Sequence, residues 1–93
     1  MTIFLITYDL RNEKSSHDYQ PLWDELAKFH CHRTQYSVWL GDFNNTAKEV
    51  HDHFRQLLDA DDRLMVSELT KNHRCTKAMA GTTDWLANNP PQR

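Results

Sequence analysis

The segment that most constrains this chain is its N-terminus, where a run of β-branched, aromatic and leucine side chains from Thr2 to Tyr8 stops at a carboxylate, Asp9. That composition predicts a strand buried on both faces, because a strand with one wet face would alternate apolar with polar residues. Asp9 then sits where the strand leaves the sheet. A group at that edge is held rigidly yet reaches solvent, which makes Asp9 the first candidate functional residue. One carboxylate alone does not define a reaction.

The polar stretch from Leu10 to His17 has no periodicity and reads as a loop, with Asp18 as the expected N-cap and Pro21 tolerated in a first helical turn. Tyr19, Leu22, Trp23, Leu26 and Phe29 form one apolar helical stripe. Residues 31–40 lose that period and gain Thr, Tyr, Val and Trp, so they read as an extended segment, either one strand or two with a sharp bend near Ser37. The Gly41 to Asn45 segment reads as a turn cluster, and Thr46 with Glu49 as a capping box. Ala47, Val50, Phe54, Leu57 and Leu58 make the second helical stripe, ended by the acidic run Asp59 to Asp62. Arg63 to Leu69 is the last strand, and Thr82 to Asn88 a short helix before Pro90 and Pro91. The expected fold class is therefore α+β: a ferredoxin-like β-α-β-β-α-β domain over residues 1–69, with both helices on one face of an antiparallel sheet. Residues 70–93 form a C-terminal extension expected to pack on a dimer partner.

Ninety-three residues make one small domain with modest stability from its own core, the kind of chain that gains from pairing. No apolar run reaches membrane length, and the start has neither a basic n-region nor a cleavage site, so a cytoplasmic location with no membrane partner is expected. Cys31 and Cys75 are too few for a disulfide framework and are expected as thiols. The net charge of −2 argues against a whole surface built for nucleic acid. The distribution is uneven: residues 1–69 carry seven Lys/Arg against twelve Asp/Glu, whereas residues 70–93 carry four against Asp84 alone. A solvated tail and a phosphate-touching tail both fit this.

The strand segment Ile6-Thr7-Tyr8-Asp9-Leu10, followed by Arg33-x-Gln35-Tyr36-Ser37-Val38-Trp39 and by Asp61-Asp62-Arg63-Leu64, resembles the small adaptation subunit of CRISPR systems, the Cas-two family. Asp18-Tyr19-Gln20-Pro21-Leu22 is similar to a bacterial stand-alone branch of it. The resemblance covers residues 1–69. It implies a homodimer formed through the open sheet face, with the first-strand aspartates facing each other and sharing a divalent metal, Mg2+ or Mn2+. It implies a metal-dependent nuclease acting on RNA or double-stranded DNA, or a non-catalytic scaffold for nucleic acid or for a partner protein of a defence complex. A toxin-like endoribonuclease is a third reading. Carried over by position, Asp9 is the metal ligand and a catalytic residue, Ser37 a second catalytic candidate, and Arg11, Lys14 and Arg33 the nucleic-acid contacts. The chain departs from the family where Phe29-His30-Cys31 replaces a common glycine and where Trp39 and Leu40 follow Ser37-Val38. Basic residues near the first helix are thin, limited to Arg11 and Lys14, which weakens phosphate capture.

Each residue also has an ordinary structural reading. Asp9 fits a turn-capping carboxylate, Ser37 a polar strand residue with no activating partner beside it, and Arg33 and Gln35 a solvent or interface face. Trp23, Trp39 and Trp85 read as core or interface anchors rather than base-stacking platforms. None of the six histidines falls at structural zinc spacing, and the cluster of Asp59, Asp61 and Asp62 reads as a solvated turn.

Overall fold

The computed structural model describes residues 2–9 and 16–93, with the side chains of 16–18 excepted. The elements are β1 (Thr2–Asp9), α1 (Ser16–Lys28), β2 (His32–Gln35), β3 (Val38–Phe43), α2 (Ala47–Arg55), β4 (Arg63–Glu68) and α3 (Thr82–Asn88). The four strands form one antiparallel sheet in the order β2-β3-β1-β4. This is an α+β architecture consistent with a ferredoxin-like fold. As a central strand, β1 has ladders on both sides, to Val38–Phe43 and to Arg63–Glu68, which is why its sequence is so thoroughly apolar.

Side-chain alternation divides the sheet into two faces. Phe4, Ile6 and Tyr8 of β1 and Trp39 of β3 meet Leu22 and Leu26 of α1 and Val50 and Phe54 of α2 in one buried cluster, so both helices cover one face. The other face carries Ile3, Leu5, Thr7 and Asp9, with Val38 and Leu40 opposite Thr7 and Leu5. Part of this face is covered by residues 70–93. The Met79 amide donates to the Thr34 carbonyl (2.9 Å), the Thr82 hydroxyl lies 2.8 Å from His32 Nε2, and the Trp85 indole donates to the His30 carbonyl (3.1 Å). The chain end returns to its own sheet as well, with Arg93 Nη1 3.4 Å from Glu68 Oε1. The C-terminal extension thus packs on the β2 edge of its own sheet, where Leu40 is buried.

Local sequence explains most boundaries. The capping box of α2 is complete: the Glu49 amide donates to Thr46 Oγ1 (3.2 Å) and the Thr46 amide to Glu49 Oε1 (2.9 Å). Three expectations need correction. Asp18 lies inside α1, which begins at Ser16, so it is not the cap. Gly41, Asp42 and Phe43 are strand rather than turn, because they pair with Phe4, Ile3 and Thr2 and the ladder overrides their turn-like composition. Leu57 and Leu58 lie beyond the end of α2. Their amides bond three residues back, to Phe54 and Arg55, so the last turn tightens while both side chains still pack on the core.

Candidate functional site

Asp9 is the last residue of β1 and lies directly across from Arg63, the first of β4. Their side chains form an ion pair, Arg63 Nη1 to Asp9 Oδ2 at 3.0 Å, with about three-fifths of each side chain exposed (61% and 62%). The pair opens onto a shallow depression lined by Thr7, Tyr8, Leu64 and Met65. So the carboxylate is solvent-accessible at a strand end, and a cation stands beside it.

Behind Asp9 the β2–β3 turn is locked onto β1 by a network centred on Tyr8. The Tyr8 amide donates to the Ser37 carbonyl (3.2 Å), and the Tyr8 hydroxyl donates to the Tyr36 carbonyl (3.2 Å). The same hydroxyl accepts from Trp23 Nε1 (2.8 Å) and Trp39 Nε1 (3.4 Å), which uses its full donor and acceptor capacity. Arg33 completes the network: its Nε and Nη2 donate to the Tyr36 carbonyl at 2.9 and 2.6 Å. Its guanidinium lies 4.7 Å from the Trp23 ring centroid and 6.0 Å from that of Trp39, within cation–π range.

Arg33 and Ser37 are therefore brought to the Asp9 end of the sheet. Arg33 spends two of its donors on the turn, and the contribution Ser37 shows is its carbonyl rather than its hydroxyl. Arg11 and Lys14 lie outside the described residues. Sequence reasoning did not find Arg63 as the partner of Asp9. The signal was available only through pairing register, since the two residues are 54 positions apart. The hydroxyl role of Tyr8, inside an apolar run, was equally hidden.

As a metal ligand Asp9 has the right chemistry, because an exposed carboxylate suits a hard divalent cation that keeps several waters. A single carboxylate supplies one ligand of such a site. A different carboxylate group, Asp59, Asp61 and Asp62, has oxygens within 4.8 Å of one another, and among the described residues it is the only set of three or more such ligands that converges. Its geometry serves the α2–β4 loop: the Asp59 amide donates to Asp62 Oδ2 (2.8 Å), and Arg55 donates to the Asp59 and Ala60 carbonyls (2.9 and 3.1 Å). The histidines are spread over the molecule, with His53 on Glu25 (2.7 Å), His51 on Asp52 (3.0 Å) and His32 on Thr82.

No helix among the described residues is long and apolar enough to cross a membrane. No solved structure matches this chain. The family model described as CRISPR associated protein Cas2 matches residues 1–76, a span that includes β1, the Asp9–Arg63 pair, the Arg33 to Trp39 segment and the start of the C-terminal extension. The chain belongs to that family, the CRISPR associated protein Cas2 family.

Proposed function

We propose that this protein works on nucleic acid as a homodimer, hydrolysing phosphodiester bonds in RNA or double-stranded DNA with a divalent metal, Mg2+ or Mn2+, held by Asp9 of both subunits. The observation that carries the reading is the exposed Asp9 carboxylate at the end of a central strand, with Arg63 directly across the ladder. A divalent cation there would supply charge neutralisation at the transferring phosphoryl group and an activated water. The chain's own residues position and bind. The Tyr8–Ser37 backbone bond fixes the strand up to the residue before Asp9. Arg63, whose partner carboxylate would hold the cation, would be free to face the phosphate, with Arg11 and Lys14 as further phosphate contacts. The subunits pair through the sheet face that bears Thr7 and Asp9, with residues 70–93 bordering the interface.

One observation favours a second reading. In the single chain Asp9 Oδ2 is already paired with Arg63, as a carboxylate that only shapes an interface would be. The protein would then be a dimeric scaffold in a defence complex that holds nucleic acid or a partner protein without cutting. The test is cleavage of labelled single-stranded RNA and double-stranded DNA by wild type and Asp9→Ala, with magnesium, with manganese and with chelator. The substitution is a fair one, because an exposed ion pair of this kind contributes about 0–1 kcal/mol to folding. Metal-dependent cutting lost only in the variant, with the dimer retained, supports the nuclease. Binding without cutting, unchanged by Asp9→Ala, makes the protein a scaffold.

A further inference from the structure

We infer that Tyr36 is a stacking platform for an unpaired nucleobase, which makes single-stranded nucleic acid the preferred ligand of the Asp9 end of the sheet; this rests on the nucleic-acid reading above. Tyr36 is the most exposed of the large apolar or aromatic side chains among the described residues, at 79%. Exposed aromatics are common, and exposure alone says little. What sets Tyr36 apart is that its backbone is held while its ring is not. The Tyr36 carbonyl receives three donors, Arg33 Nε, Arg33 Nη2 and the Tyr8 hydroxyl. Those donors are themselves braced by Trp23 and Trp39. A large flat ring therefore projects into solvent from a turn whose backbone is tethered, so little backbone entropy remains to be lost when a base stacks on it.

The ring also carries a cation with it. The Arg33 guanidinium lies 5.8 Å from the Tyr36 centroid. An exposed aromatic beside a guanidinium is the combination that binds single strands: the ring offers a π-face that any base accepts, and the cation draws the backbone phosphates. Location supplies the link to the proposed chemistry. Ser37, the next residue, bonds through its carbonyl to the amide of Tyr8, and Tyr8 precedes Asp9. A nucleotide stacked on Tyr36 thus lies at the same end of the sheet as the Asp9–Arg63 pair, although Asp9 faces the side opposite to Tyr8. In a continuous duplex the bases are stacked on each other and present no free face, so the platform discriminates against it.

The experiment is a titration of labelled single-stranded oligonucleotide, and of the duplex of the same sequence, with wild type, Tyr36→Ala and Tyr36→Phe, followed by anisotropy. Light scattering on each variant gives the oligomeric state. Tyr36→Ala should weaken single-strand binding by about 5- to 140-fold, the range for losing one base–aromatic stack. Tyr36→Phe should stay within about 2-fold of wild type, since the hydroxyl is not part of a stack, and duplex binding should change little in either variant. Wild-type binding that Tyr36→Ala leaves intact, or that falls equally for single strand and duplex, overturns the platform while the nucleic-acid reading stands. A Tyr36→Ala chain that loses its dimer identifies the ring as a subunit anchor instead. Failure of wild type to bind either oligonucleotide removes the nucleic-acid reading itself.

Discussion

Replacing His30 with glycine should stabilise the fold, and the size of the gain follows from one backbone angle. His30 follows α1 with φ 60°, in the left-handed region. The bonds around it are the paired set of a helix stop: the Cys31 amide donates to the Leu26 carbonyl (3.1 Å) and the His30 amide to the Ala27 carbonyl (3.0 Å). An L-residue held there costs about 1–2 kcal/mol, towards the lower end for histidine, whereas glycine bears no such cost. Against that, glycine adds about 0.4–1 kcal/mol of unfolded-chain entropy. The His30 side chain is exposed, and the group Trp85 uses is the backbone carbonyl, which glycine keeps. Relief of about 1–1.5 kcal/mol less that entropy leaves a gain of up to about 1 kcal/mol, or up to about 8 °C in Tm for a domain of this size. Circular dichroism melts of wild type, His30→Gly and His30→Ala at one protein concentration read it directly. His30→Ala keeps the strained angle and should show no gain. Equal Tm values for His30→Gly and wild type, or an equal rise in both variants, would refute the argument from φ.

Gly41→Ala should destabilise by about 1–3 kcal/mol, because its new methyl would run into the Phe43 ring and sit 3.0 Å from Cys31 Sγ; a denaturant midpoint equal to that of wild type contradicts this. Burial pushes the Cys31 thiol up to about 12, whereas Cys75 is exposed, so at pH 8 one thiol per chain should react promptly with a thiol reagent and the second only on unfolding. Two fast thiols would contradict that. Burial also lowers the pKa of His32 below its ordinary value of 6.5. Its contribution to stability is therefore complete above pH 6.5 and drains as pH falls below it, since the unfolded chain takes up the proton more readily. Hydrogen exchange in residues 82–89, corrected for intrinsic rates, should quicken in acid, and His32→Gln should remove that dependence. A loss of protection that persists in the variant assigns it to another group.

The elements that read clearly from sequence are those whose residues answer to local physics. The stripes of α1 and α2 follow the 3.6-residue period, and Thr46 with Glu49 marks a helix start through groups three positions apart. Ser37 as the bend between two strands was legible from the change of period around it. The Gly41 to Phe43 stretch was not, because its composition belongs to turns and only its ladder with β1 makes it strand. The same limit governs the site. Asp9 stood out because a carboxylate ends an apolar run. Arg63 became its partner through register, and the shared acceptor for Tyr8 and Arg33 is a carbonyl, a group every residue has.

These non-local contacts change what the family's pattern means in this chain. The segment Arg33 to Trp39 is a unit of structure before it is a unit of chemistry: Arg33 and the Tyr8 hydroxyl close on the Tyr36 carbonyl, and Trp39 packs in the core beneath them. An arginine so engaged positions the turn while its charge stays beside the Tyr36 ring, and the cation paired with Asp9 is Arg63. The C-terminal extension sharpens the point from the other side of the sheet. By covering Leu40 and bonding to His32 and Thr34 it closes the β2 half of the open face, and its end reaches Glu68 of β4; what it leaves is the Asp9 end of β1 and β4, where Thr7, Asp9, Arg63 and Met65 lie and Met65 is 67% exposed. A second subunit that docked there without displacing the extension would meet Met65, an exposed and adaptable side chain, at the contact.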